Sequence, residues 1–186
     1  MLVREEAGFD LAQRLRQGAA TIGEVYTFIS GLYFRGKITY AEAFRAGPPG
    51  FPSVLVIVPG IGLVPPETVV GIEQMRAIAG IPVDEDNRIY RDALLRSARL
   101  LDQHAGPACS YVLLGSVASG KYTSPLLEIF GERLLFPGDF VGRGDMSRGG
   151  LMLRCAHSGI ELSYIPVHGA QRHGARPPRL ERWRKP

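Results

Sequence analysis

Residues 115–121 spell Gly-x-x-x-x-Gly-Lys, and they lie between two apolar runs at 110–114 and 133–136. Glycines let a backbone approach phosphate oxygens, a helix opening at the second glycine aims free amides at them, and the lysine adds charge. A nucleoside triphosphate loop also needs a hydroxyl directly after the lysine to hold Mg²⁺. Tyr122 stands there instead. A helix from Gly120 would also carry Pro125 beyond its first turn, at a cost of about 3 kcal/mol. The spacing therefore predicts Ser124 as N-cap and Pro125 at the first helical position, with Lys121 left in the loop. Gly115, Ser116, Ser119, Gly120, Lys121 and Tyr122 then form a loop for another anion or small molecule; a plain strand-to-helix turn is the alternative.

A second chemically dense segment is residues 136–150, which packs Asp139, Arg143, Asp145, Ser147 and Arg148 among glycines that include Gly144. Arginines grip phosphate or carboxylate through two parallel bonds, as lysine does not. Asp145 or Ser147 is placed to cap a following helix whose amides favour an anion. The alternative is a loop that satisfies itself, with Asp145 capping and an arginine paired to Asp139. A third glycine-bearing segment, residues 59–66, carries Gly60 and Gly62 and leads into Glu67. Glu67 is the acid best placed to serve as base or nucleophile, with a first-turn helix acid as its ordinary role. Asp145 is the other candidate for that step.

What must position these residues is a set of alternating strands and helices. Residues 53–58 read SVLVIV, a continuous β-branched run of the kind that forms a central parallel strand. Further strands are expected at 110–114, 133–136 and 161–165. Thr21-x-x-Glu24 opens a helix expected to stop at Gly36, and Thr39-x-x-Glu42 opens another that ends at Gly47. Asn87 caps a long helix over 88–105 with Ile89, Ala93, Leu94, Ser97, Leu100 and Leu101 on one face. The pattern predicts an α/β, Rossmann-like three-layer domain: a mostly parallel sheet of about four to five strands, with an N-terminal helical extension over residues 1–50. In such a sheet the loops after the strands share one edge, where ligands bind.

At 186 residues, 45% of them hydrophobic, the chain suits one well-buried domain. No apolar run is long enough to span a bilayer, and the acids at positions 5 and 6 oppose a signal peptide, so a cytoplasmic location without a membrane partner is expected. The net charge of +4 sits in residues 168–186, which carry +5 against −1 for residues 1–167. That Pro- and Gly-containing tail, with Arg172, Arg176, Arg179, Arg182, Trp183 and Arg184, is a candidate track for a nucleic-acid backbone, or else wraps over the body. Cys109 and Cys155 have neither disulfide nor zinc spacing. His168 and His173 have no third ligand, so no metal site is expected; Mg²⁺ enters only as companion to a phosphate-ester ligand, and no cofactor is evident.

The glycine loops GSVASGKY and GIGLVPPE, each after an apolar strand, resemble those of Rossmann-like nucleoside- and nucleotide-processing proteins of the nucleoside deoxyribosyltransferase type, over about 60 residues. The resemblance implies a glutamate nucleophile, at Glu67 or Glu128, and a hydroxyl-bearing group toward the sugar, at Ser116 or Tyr122. The expected function is an enzyme, transferase or hydrolase, acting on a nucleotide, nucleoside or other phosphorylated small molecule, with Lys121, Arg143 and Arg148 holding the anion. Two other classes stand beside it: a nucleic-acid-binding module that uses the tail, and a homo-oligomeric assembly protein that uses the apolar N-terminal helices.

Overall fold

A computed structural model describes Leu2 and residues 7–180. In chain order the elements are α1 (Asp10–Arg16), β1 (Ala20–Thr21), α2 (Ile22–Ala43), β2 (Val56–Val58), β3 (Gly62–Val64), β4 (Val69–Val70) and α3 (Ile72–Ala79). The second half continues with α4 (Arg88–Ala105), β5 (Tyr111–Val112), α5 (Gly120–Phe130), β6 (Leu134–Pro137), α6 (Asp145–Ser158) and β7 (Tyr164–Pro166).

The strands do not assemble into the expected parallel sheet of four to five strands. They form three small sheets: β1 with β4, antiparallel; β2 with β3, antiparallel; and β5-β6-β7, where β5 and β6 are parallel and β7 runs antiparallel to β6. The run SVLVIV is therefore a hairpin arm, not a central strand. Gly60, at φ 76°, turns the chain, the Ile61 amide closes onto the Val58 carbonyl, and Gly-Leu-Val pairs straight back on Val-Ile-Val. A tight turn with positive φ is what a hairpin demands. The one parallel unit is β5–α5–β6, so no common strand-end edge gathers all three glycine segments.

Burial divides into two clusters. One holds Ala12, Leu15, Ile22, Val25, Phe34, Val56, Val58, Val70, Met75 and Ile78; the other holds Tyr90, Leu94, Val117, Leu126, Leu134, Phe136, Phe140, Met152 and Val167. Helix α2 serves both, giving Ile22, Val25 and Phe34 to the first and Tyr40 to the second. Its start is the expected capping box: the Glu24 amide donates to Thr21 Oγ1, and the Thr21 amide donates to Glu24 Oε2 at 2.9 Å. Its break is not at Gly36. The helix kinks at Gly31, with φ 55°, and Thr39 lies inside the continuing helix.

Gly36 has another use. A Cβ there would stand 2.7 Å from the Gly149 carbonyl oxygen, and one on Gly149 would stand 2.9 Å from Tyr33 Cα. Two glycines thus let α2 and α6 touch backbone to backbone, a separation that any side chain would prevent. Helix α4 is capped as expected by Asn87 Oδ1, which accepts from the amides of Ile89 and Tyr90 at 3.0 and 3.3 Å. Its buried stripe runs through Tyr90, Leu94 and Ala98 at helical spacing, which rotates Ile89 and Leu100 out to solvent. Among the described residues no helix is long and apolar enough to cross a membrane.

Candidate functional site

The glycine–lysine loop ends differently from its expected form. Helix α5 begins at Gly120, with Ser119 as the preceding extended residue, so Pro125 falls in the helix interior and Ser124 is not the cap. Pro125 has no amide for the Lys121 carbonyl four residues back. Tyr90, from α4, fills that gap: its hydroxyl donates to the Lys121 carbonyl oxygen at 2.8 Å. The Thr123 hydroxyl donates to the Ser119 carbonyl oxygen at 3.1 Å and accepts from Arg172 at 3.2 Å. Tertiary bonds thus offset the cost that made the early start look unfavourable. A Cβ on Gly120 would collide with both carboxylate oxygens of Glu85, so the start of α5 already has a negative group against it.

Beside this start lies a cavity of about 220 Å³ lined by Tyr26, Ile29, Ser30, Ile57, Pro59, Val83, Tyr90 and Tyr122. Four elements and the loop between α3 and α4, which carries Val83, bring these residues together: α2, the β2 arm, the head of α4 and the first turn of α5. Burial raises all three phenols, Tyr26 to about 12, and the field of Tyr122 adds to the rise at Tyr26 and Tyr90. They are hydrogen-bonding, stacking groups across the neutral range, not anions. The Lys121 ammonium stands 5.1 Å from the centre of the Tyr122 ring, within cation–π range.

Asp145 joins this cavity to the α2–α6 crossing. Burial is the main cause that raises Tyr122 and Tyr33, the charge of Asp145 adds to both, and Arg148 opposes the rise at Tyr33. Lys37 is pulled down to about 8, first by burial; Asp145 opposes the shift and Arg148 adds to it. Its Nζ lies 4.0 Å from the centre of the Tyr33 ring. Arg148 is 7% exposed, donates from Nε to the Phe140 carbonyl oxygen at 3.2 Å and reaches Asp145 at 3.8 Å. Gly144 is the extended residue ahead of α6, and Asp145 is its first helical residue, so neither Asp145 nor Ser147 is the N-cap.

The other expected residues spread out. Arg143 donates to the Asp139 carbonyl oxygen at 3.0 Å and to Ser147 Oγ at 3.3 Å. None of Lys121, Arg143 and Arg148 lines the tyrosine cavity. Gly60 and Gly62 serve packing: a Cβ on either would strike Ile81 or Ser97. Glu67 lies on an exposed turn between β3 and β4. Glu128 pairs with Arg91 at 2.6 Å and Arg99 at 3.1 Å on the outside of α4 and α5. Gly115 and Ser116 are half-buried in the loop itself. His168 lies 2.5 Å from Glu132, and among the described residues no three His, Cys, Asp or Glu side chains group to hold a metal ion.

The described part of the basic tail packs on the body. Besides the Arg172 bond, Ala175 and Pro177 close on Gly142, and Gly174 closes on Val141. Arg176 and Arg179 stay exposed. Arg182, Trp183 and Arg184 lie outside the described residues. Sequence reasoning missed Tyr26, Tyr33, Lys37 and Tyr90. A signal existed for two of them: Tyr33 and Lys37 lie four residues apart on the part of α2 beyond the kink at Gly31, which sets them along one side. No family model, characterised protein or solved structure matches this chain.

Proposed function

We propose that the protein is an enzyme, transferase or hydrolase, that seats the ring of a nucleoside, nucleotide or other phosphorylated small molecule among Tyr26, Tyr90 and Tyr122. The observation that carries this reading is the tyrosine-walled cavity at the first turn of α5, directly after the glycine–lysine loop. Its volume, about 220 Å³, is below the roughly 300–1,000 Å³ of pockets that enclose a whole ligand. It suits one ring system, with the rest of the ligand lying outside over the loop. Stacking on a phenol contributes about 1–3 kcal/mol per base and tolerates any planar ring. Lys121 places positive charge beside that ring. Asp145 is the carboxylate whose field reaches Tyr122, and it takes the proton-transfer role. Because Glu85 rests against Gly120, a phosphate that sought the α5 amides would have to displace it; the anionic part of the ligand is therefore assigned to Lys121. A cytoplasmic location follows from such a substrate.

The test is a thermal-shift panel of bases, nucleosides, nucleotides and sugar phosphates on the wild type and on Tyr122→Ala. A ligand at a hundredfold excess over its Kd stabilises the wild type by about 2.7 kcal/mol. That gain should shrink by more than half in Tyr122→Ala. A panel without any stabilising ligand, or one whose gains survive the substitution unchanged, removes the proposal.

A further inference from the structure

We propose that the tyrosine cavity reads the edge of an uncharged planar ring through hydroxyl groups alone, with Tyr26, Ser30 and Tyr122 as its specificity residues. The inference deepens the reading above and rests on it: that reading supplies a stacked ring, and this one states which rings are accepted. The chain has seven tyrosines. Five of them, Tyr33, Tyr40, Tyr90, Tyr111 and Tyr164, bond through their hydroxyls within the protein. Tyr26 and Tyr122 carry no hydrogen bond among the described residues, and both stand in the wall of the same cavity. A phenol removed from bulk water ordinarily finds a partner for its hydroxyl. Two that lack one, around one hollow, mark a place where a ligand supplies the partner.

Ser30 adds a third uncommitted hydroxyl to the wall. It stands one turn from Tyr26 on the same face of α2, just ahead of the kink at Gly31. A helical serine or threonine commonly turns its hydroxyl back onto the carbonyl four residues earlier. Thr123 does so to Ser119, whereas Ser30 makes no such bond to Tyr26. The α2 wall therefore offers two hydroxyls in succession, and α5 contributes the third through Tyr122. No buried side-chain oxygen among the described residues is left without a partner, so these three hydroxyls open to the space around them.

The chemistry of a hydroxyl sets the ligand class. Each can donate one bond and accept others. The set matches an edge of carbonyl oxygen and N–H, and it matches an edge of amino group and ring nitrogen as well. Charge is what it does not match. None of the eight residues that line the cavity is acidic or basic, so an ionised ring would lose its hydration without meeting a counter-charge. Lys121, outside the wall, is left for the part of the ligand that lies over the loop. The seat thus accepts neutral oxo and amino rings alike, and it disfavours both an anionic ring and a flat ring without polar edges.

The experiment is calorimetric titration of the full chain at pH 7 with two nucleosides of the same outline: uridine, and its difluorotoluene analogue, which has no N–H edge. Uridine should bind the wild type about tenfold more tightly than the analogue. Tyr26→Phe and Ser30→Ala, which keep the helix and remove only hydroxyls, should each weaken uridine about three- to tenfold and leave the analogue unchanged. Cytidine should compete with uridine, and so should uracil, whereas barbiturate, an anion on the same six-membered ring, should not. Equal binding of the two nucleosides, equal losses for both in the variants, or competition by barbiturate that matches uracil overturns the proposal. Tyr122→Ala separates the two readings. Should it abolish ring binding while Tyr26→Phe and Ser30→Ala bind uridine as the wild type does, the stacking seat stands and the hydroxyl readout falls. A wild type that binds neither probe also overturns the readout, and the ring panel above then decides whether the seat falls with it.

Discussion

Two stretches of this chain read alike and fold differently. SVLVIVPGIG, residues 53–62, and YVLLGSVASG, residues 111–120, are each an apolar run followed by a segment with two glycines. The first turns back on itself as the β2–β3 hairpin, its glycines pressed against Ile81 and α4. The second runs on through a loop into α5 and returns as a parallel strand. The difference comes from the residues C-terminal to each glycine pair. Gly-Leu-Val at 62–64 can pair, whereas Lys-Tyr-Thr-Ser at 121–124 enters a helix in which Tyr90 and Thr123 satisfy the carbonyls of Lys121 and Ser119. A glycine after an apolar run marks a change of direction and says nothing of whether the turn is left open for a ligand.

The largest test of that contrast is a pair of glycine substitutions. At Gly62, with φ 103°, a Cβ would stand 2.6 Å from the Ala93 carbonyl oxygen and push on Ser97, whose hydroxyl accepts from the Leu63 amide at 2.9 Å. Backbone strain and overpacking together put Gly62→Ala at about 3 kcal/mol or more of lost stability. At Gly115 the nearest atom is the end of Leu113, at 3.3 Å, and φ is ordinary, so Gly115→Ala should stay within about 1 kcal/mol of wild type. Urea denaturation measures both, and equal costs would erase the distinction between the two segments.

The next effect is smaller and belongs to the second stretch alone. Tyr90→Phe leaves the Lys121 carbonyl without the hydroxyl that replaces the missing Pro125 amide, at a cost of about 1–2 kcal/mol. Pro125→Ala restores a helical amide to that carbonyl. In its background the cost of Tyr90→Phe should fall by at least half, a coupling read from a double-mutant cycle. An unchanged cost would mean that the tyrosine does not compensate the proline.

These same residues show where the sequence was legible. Caps at Thr21 and Asn87 follow from local rules, because each is decided by residues within a few positions of one another. The start of α5 was not legible, since local rules assign Pro125 a penalty that the hydroxyl of Tyr90, on another helix, removes. The sheet failed for a related reason: apolar runs are equally good hairpin arms and central strands, and pairing partners are chosen by the whole fold. Gly36 looked like a helix stop because its real partner, Gly149, is far along the chain. Of the site, Lys121, Tyr122 and Asp145 were within reach from the loops. Tyr26 and Tyr90 came into view only when the helices were packed.

The smallest expected effect compares how acid loosens the two regions. Near the first core, Glu24 accepts from Arg14 at 2.8 and 3.0 Å and from the Thr21 amide, which holds it at about 2. In the second region Asp102 accepts from Arg133 at 2.7 Å and from the Tyr111 hydroxyl at 3.0 Å, and the arginine likewise lowers it. Both carboxylates sit below their ordinary values, so the unfolded chain binds the extra proton first as pH falls. The stability that Glu24 contributes is complete above about pH 4.5 and disappears as the pH drops toward 2, and that of Asp102 is lost in the same direction. Glu24 has the larger shift but an exposed side chain, which screens its contribution to below about 1 kcal/mol. Glu24→Gln should therefore flatten the acid limb between about pH 4.5 and 2 somewhat more than Asp102→Asn, while both variants match each other's slope above about pH 5. Stability against pH in the three proteins checks it, and parallel acid limbs throughout would place the acid-sensitive ties elsewhere in the molecule.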